Sequence, residues 1–291
     1  MVNTMSHIYR KVRSQLLLKE DEYTATLYAR NLVCHFAGIT REKMLAEGNM
    51  PVSEELTNEI EAALGRVLSG EPLAYVLGQW EFYGLTLSVN NQVLIPRDDT
   101  CAVVDLAIKQ SLFLDTTPRI MDLCTGTGCI GLAIASRVKD AKVTLADISR
   151  DALAVAKKNV TDLKMSARVS CVVADALGEP PAYLGKFDLI VSNPPYITGK
   201  EMEELPHSVK EFEPHLALFG GADGLDFYRN ITEKYKEALK PGGYLCFEFG
   251  MGQGDDVCTI LRTNGFEVLE RVKDYNDRER AVLARYDRKE D

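Results

Sequence analysis

From residue 119 onward short apolar runs alternate with helix-length segments, and this alternation restricts the fold more than any other feature of the chain. RIMDL (119–123), KVTLAD (142–147), RVSCVVAD (168–175) and FDLIVS (187–192) read as strands, separated by helix-like segments such as 129–138 and 150–163. Strands that each return through a helix form a parallel α/β sheet. After Pro241-Gly242-Gly243 the pattern changes. YLCFEF (244–249) and a helix-like stretch are followed by FEVLERV (266–272) and AVLARY (281–286), which read as a closing antiparallel pair.

The first 70 residues or so carry helical spacing instead. Ile8, Val12 and Leu16 lie four apart, and Tyr23, Leu27, Leu32, Val33 and Phe36 form a second stripe. Ser53 is placed to cap a helix with Leu56, Ile60, Leu64 and Val67 on one face, stopped by Gly70 and Pro72. Alternation from Trp80 to Ile95, with Asn90-Asn91 as turn residues, predicts a short β-hairpin. The expected organisation is a small helical domain over 1–75, a β-hairpin linker over 76–95 and the sheet domain over 96–291.

Ligands of such sheets bind at the carboxyl ends of the strands, and the loops there hold the candidate chemistry. The first strand runs into Asp122-Leu-Cys124-Thr125-Gly126-Thr127-Gly128-Cys-Ile-Gly131. Its glycines let backbone approach a ligand, and the following helix is expected to present free N–H groups. Asp147 ends the second strand, where a carboxylate accepts both hydroxyls of a ribose, and Asp175 closes the third within reach of an adenine amino group. The fourth ends in Asn193-Pro194-Pro195-Tyr196. Two prolines lock that backbone and leave the Asn193 side-chain carbonyl and the Pro194 carbonyl as fixed acceptors, suited to a planar NH₂ group, with Tyr196 as a stacking face.

Composition narrows the partners. Lys and Arg number 34 against 43 Asp and Glu, a net charge of −9, so the basic stripe of a protein that grips phosphate backbones is missing and direct nucleic-acid binding is not expected. No apolar stretch has the length of a membrane helix or of a signal-peptide core. Seven cysteines without a CxxC pair and four scattered histidines predict reduced thiols in a cytoplasm, and no metal.

The glycine loop, the acid ending the second strand and Asn-Pro-Pro-Tyr together resemble S-adenosylmethionine-dependent amino methyltransferases. More specifically, EPLAYVLGQWEFYG, LIPRDDT, DLCTGTGCIGLA, SNPPYI, EFEPHLALFGGADGLDFYR and DYNDRERAVLARY, in that order over residues 71–286, resemble the HemK/PrmC family of protein glutamine methyltransferases. The resemblance implies a Rossmann-like methyltransferase sheet behind an N-terminal bundle that helps grip the substrate. It implies methylation of the glutamine in the Gly-Gly-Gln motif of class I peptide chain release factors. It assigns Asp147 with Ile148 to the cofactor ribose side, Asp122 and the Cys124–Gly128 loop with Thr125 and Thr127 to the methionine side, and Asp175 with Ala176 to adenine. Asn193, Pro194, Pro195, Tyr196 and Arg97 fall to the acceptor, with Asn193 also bordering the cofactor.

The chain departs from the family pattern at three places. Cys124 replaces a usual glycine, which argues against a positive φ there. Asp98-Asp99-Thr100-Cys101 replaces the usual proline and glutamate segment, and Ala176 replaces a bulkier residue, opening the adenine pocket. Three other readings remain at this level: an adenine methyltransferase acting on DNA or RNA, a dehydrogenase using Gly126, Gly128 and Gly131 for a dinucleotide, and a helical adaptor with a cofactor-sensing domain.

Overall fold

A computed structural model describes residues 3–114 and 117–287, and the chain divides into two compact units, Met1–Gly78 with His207–Phe212, and Gln79–Pro206 with Glu213–Asp291. In the first unit α1 (Met5–Leu16), α2 (Glu22–Ala37), α3 (Arg41–Ala46), α4 (Glu54–Leu68) and α5 (Leu73–Leu77) follow one another. Each of the first four starts where a side chain closes an orphan N–H: Thr4, Asp21, Thr40 and Ser53 all accept from the first turn. Met5, Ile8, Val12 and Leu16 are buried, as are Ile60, Leu64 and Val67 of α4, which packs on α1. On α2 the buried face is Ala25, Ala29, Leu32 and Val33, and Tyr23 is exposed. The expected Tyr23 stripe is thus rotated, because small alanines let α2 approach its neighbours closely while the tyrosine ring stays in water.

In the second unit β1 (Gln79–Phe82) and β2 (Leu85–Ser88) form an antiparallel hairpin that turns at Tyr83-Gly84, both at positive φ. The turn predicted at Asn90-Asn91 falls beyond it. The hairpin belongs to the sheet unit and is fastened there by Asn159, whose Oδ1 accepts from Ser88 N at 2.6 Å and whose Nδ2 donates to Ser88 O at 3.1 Å. Residues 76–95 therefore do not form a separate linker.

The main sheet contains β3 (Arg119–Leu123), β4 (Lys142–Asp147), β5 (Val169–Val173), β6 (Phe187–Ser192), β7 (Leu239–Glu248), β8 (Phe266–Lys273) and β9 (Glu279–Tyr286), in the order β5-β4-β3-β6-β7-β9-β8. The first five are parallel, while β9 runs antiparallel to both β7 and β8. This is the expected α/β sheet with an antiparallel closure. Helices cover both faces. Ile120, Leu189 and Val191 face one core with residues of α6 (Cys101–Leu112), α7 (Cys129–Arg137) and α8 (Arg150–Asp162). Met121 and Ile190 face the other, with residues of α11 (Asp226–Lys234) and α12 (Gly254–Thr263). Two short helices, α9 (Gly199–Glu204) and α10 (His207–Phe212), precede that pair. Strands buried on both faces explain their near-continuous apolar runs. The strand order reverses between β3 and β6, so a crevice opens beyond their carboxyl ends.

Candidate active site

Both loops singled out in the sequence leave the sheet from that reversal. Leu123 and Ser192 are register partners, and Ser192 Oγ donates to the Leu123 carbonyl at 2.6 Å, locking the two strand ends together. Beyond them lies a cavity of about 360 Å³, within the range of small-molecule sites. Its wall includes Arg97, Cys124, Thr125, Gly126, Thr127, Asp147, Ile148, Asp175, Ala176, Asn193 and Pro195 from the predicted set. Asp122, Gly128, Pro194 and Tyr196 flank these lining residues in the chain.

Asp122 is fully buried beneath the glycine loop, where its Oδ2 accepts from Thr125 Oγ1 at 2.6 Å and from Gly131 N at 2.9 Å. It shapes the loop from below, so its predicted contact with a cofactor gives way to a supporting role. Burial pushes its carboxyl up to about 7, against the pull of those two donors, and Oδ1 has no hydrogen-bond partner. The α7 N-terminus is occupied from within the chain, because Thr127 Oγ1 also accepts from Cys129 N at 3.2 Å. The expected free helix N–H groups are therefore engaged at Cys129 and Gly131. Two N–H groups at the start of α7 are thus bonded within the chain and are not offered to a dinucleotide pyrophosphate, which weakens the dehydrogenase reading.

Three residues of the loop take left-handed backbone: Cys124 at φ 61°, Gly126 at 53° and Gly128 at 83°. Cys124 thus corrects the expectation that a side chain there excludes positive φ. The packed loop imposes that conformation, and the thiol interacts with Ser192 across the locked strand ends. A Cβ on Gly126 would meet open space, whereas on Gly128 it would lie 2.9 Å from Leu145 Cδ1. The first glycine faces the cavity and the second the core.

Asp147, at the end of β4, accepts from Gly126 N through Oδ2 and from Ser149 N through Oδ1, both at 2.9 Å. Burial raises its carboxyl, and these N–H groups restrain the shift. Each oxygen keeps a lone pair toward the cavity. Asp175 is exposed at the rim with Leu177 N on its Oδ1 at 2.9 Å, and Ala174 and Ala176 form an apolar floor beside it.

Asn193 lines the cavity and donates through Nδ2 to Thr100 Oγ1 at 3.5 Å. The Tyr196 ring lies against Gly250, where an added Cβ would sit 2.9 Å from Cδ2. Arg97 pairs with the buried carboxylate of Glu213, which also accepts from Ile95 N at 3.2 Å. Pro214, His215, Leu216 and Ala217 of the EFEPHLALFGGADG segment follow on the wall. Sequence reasoning missed Thr100, Glu213 and Glu248. The last had a signal, an acid ending the otherwise apolar run YLCFE.

Residues 8–78 match the model of the PrmC N-terminal domain, and residues 106–212 match that of the methyltransferase small domain. A release factor glutamine methyltransferase of Clostridium acetobutylicum is 44% identical over 73% of this chain and 74% of its own length. One from Geobacter sulfurreducens is 38% identical over 92% of each. The chain belongs to the release factor glutamine methyltransferase family. Like other members it is a methyltransferase. The fold recurs more widely: a Pyrococcus furiosus methyltransferase structure covers 78% of this chain and 99% of its own at a TM-score of 0.51 and 17% identity. The catalytic domain of hMettl16 covers 82% and 84% at 0.54 and 14%. Among the described residues of this family member, no helix is long and apolar enough to cross a membrane.

Proposed function

We propose that this protein methylates the side-chain amide nitrogen of the glutamine in the Gly-Gly-Gln motif of class I peptide chain release factors, with S-adenosylmethionine as donor, in the cytoplasm and without a metal. The observation that carries this is the meeting of two loops at one cavity: the Asp147-anchored glycine loop and the Asn193 carbonyl end. The names and extents of the relatives support the acceptor.

The residues present fit the donor. Asp147 offers lone pairs to ribose hydroxyls, the open side of Gly126 admits a ligand against backbone, and Asp175 with Ala176 gives a polar rim over an apolar floor for adenine. S-adenosylmethionine supplies an electrophilic methyl group when bound. Asn193 Oδ1 and the Pro194 carbonyl accept the two hydrogens of the glutamine NH₂. This orients an amide whose lone pair is otherwise delocalised, and favours pyramidal nitrogen facing the donor. The prolines fix that backbone, so no ordering is needed at the moment of reaction. Tyr196, packed on Gly250, backs the loop. Arg97, held by Glu213, stands at the entrance as a contact for the peptide.

The test is mass spectrometry of a purified class I release factor after incubation with this protein and S-adenosylmethionine. The expected product carries one methyl group on the Gly-Gly-Gln glutamine, and Asn193→Ala slows turnover by about 10²-fold. Methyl transfer to an adenine-containing RNA or DNA but not to the release factor would replace this reading.

A further inference from the structure

Strand β7 ends on Glu248, which is 2% exposed and closes an apolar run. The chemistry above does not use it. Three other buried acids in the sheet unit are ion-paired, Asp188 with Lys240 at 2.8 Å, Asp274 with Arg280 at 3.3 Å and Glu213 with Arg97, and Asp122 holds Thr125 and Gly131. Glu248 Oε2 has no hydrogen-bond partner. The Arg280 charge acts on Glu248, but its guanidinium donates to Asp274, to Asp99 at 3.2 Å and to the Phe249 carbonyl at 3.2 Å. Ser192 and Phe247 are register partners at the ends of β6 and β7, so the residues that follow them, Asn193 and Glu248, lie side by side, with Thr100 close to both.

That pair bears on the acceptor site. An asparagine side chain has two ends of nearly equal shape, and only the carbonyl end can accept from a substrate NH₂. A reversed Asn193 would turn Oδ1 toward a buried carboxylate and present its own NH₂ to the substrate's NH₂, two clashes at once. Thr100 is 2% exposed and has a single hydroxyl hydrogen. Its lone pair receives Asn193 Nδ2 at 3.5 Å, which leaves that hydrogen for the neighbouring acid. Resting on the proposed acceptor role of Asn193, we infer that Glu248, acting with Thr100, is a positioning residue that fixes the polarity of the Asn193 amide so that Oδ1 faces the substrate.

The inference is tested with Glu248→Leu, Glu248→Gln, Thr100→Val and Asn193→Ala in the full chain. Glu248→Leu lowers kcat about tenfold while the affinity for S-adenosylmethionine changes less than about twofold, and Glu248→Gln, which keeps an acceptor, recovers most of the loss. In an Asn193→Ala background Glu248→Leu adds no further loss. Where Glu248→Leu melts too low to assay, Thr100→Val carries the same comparison. Independently of turnover, the Asn193 side-chain amide protons of the cofactor-free protein exchange more slowly than those of exposed asparagines and lose that protection in Glu248→Leu or Thr100→Val. Additive losses, unchanged kcat in a folded variant or unaltered amide exchange overturns the inference and leaves the role of Asn193 intact. Near-normal turnover of Asn193→Ala overturns the acceptor reading itself.

Discussion

The amide of Gly126 donates to Oδ2 of Asp147 at 2.9 Å, so the acid at the end of one strand holds the loop that follows its neighbour. One carboxylate thereby has two tasks, shaping the glycine loop and offering lone pairs to the cavity. Asp147→Ala removes both, and the expected result is a fall of about 10²-fold in S-adenosylmethionine affinity, from about 1.5–3 kcal/mol for a charge-assisted hydrogen bond plus the lost ligand contact. Calorimetric titration reads the first effect. Faster amide exchange at Gly126 without cofactor reads the second, and unchanged exchange there would separate Asp147 from the loop.

Gly126 of the loop and Gly131 of α7 predict opposite phenotypes. A Cβ on Gly131 would lie 2.3 Å from Leu145 Cδ2, 3.0 Å from Val143 and 3.1 Å from Asp122 Cβ, all in the core. Gly131→Ala therefore destabilises by about 1–3 kcal/mol through overpacking. Gly126 has open space but φ 53°. Gly126→Ala costs about 1–2 kcal/mol in backbone conformation and places a methyl on the cavity side, so cofactor affinity falls more than stability does. Paired thermal melts and binding titrations distinguish them, and equal effects on both quantities would contradict the assigned orientations.

The legible part of this site was whatever depends on neighbours in the chain. Strand-ending acids, the glycine loop and Asn-Pro-Pro-Tyr follow from local rules, and the sheet brings Asp147, Gly126 and Asn193 to one cavity. What escaped depends on partners far apart in sequence. Glu213 acquires its meaning only where Arg97 and Ile95 reach it, and Thr100 only where Asn193 arrives from across the sheet. Asp122 shows the converse: position at a strand end suggested a ligand contact, but its direction into the core is set by packing under Gly131. The hairpin turn slipped for a local reason, because Tyr83-Gly84, both at positive φ and with a glycine second, makes the tight two-residue turn in place of Asn90-Asn91.

Buried acids also set a pH dependence. Burial raises Asp122 from 3.8 to about 7 and Glu248 from 4.5 to about 7. A carboxyl whose pKa is raised on folding binds its proton more tightly in the native state. Its contribution is full below about pH 4 and is lost as pH rises through about 7. The cofactor-free protein is therefore expected to melt at a lower temperature at pH 8 than at pH 5.5, and Asp122→Asn flattens that slope. Carboxylates with lowered pKa, such as Asp223 and Asp274, act at more acidic pH and do not cancel it. A melting temperature that rises between pH 5.5 and 8 would refute the assignment.

Cys124 offers the sharpest local test, since its φ of 61° lies in the left-handed region that a side chain normally avoids. Replacement by glycine relieves that conformation but frees the unfolded chain, and the two effects largely offset. Cys124→Gly is expected to stay within about 1 kcal/mol of the parent and to retain cofactor binding. A β-branched residue has no such escape. Cys124→Val places a branched Cβ at positive φ and adds bulk beside Ser192, so a loss of about 2 kcal/mol or more is expected. Denaturant unfolding of both variants decides the matter, because a valine tolerated as well as glycine would mean that residue 124 relaxes out of the left-handed region.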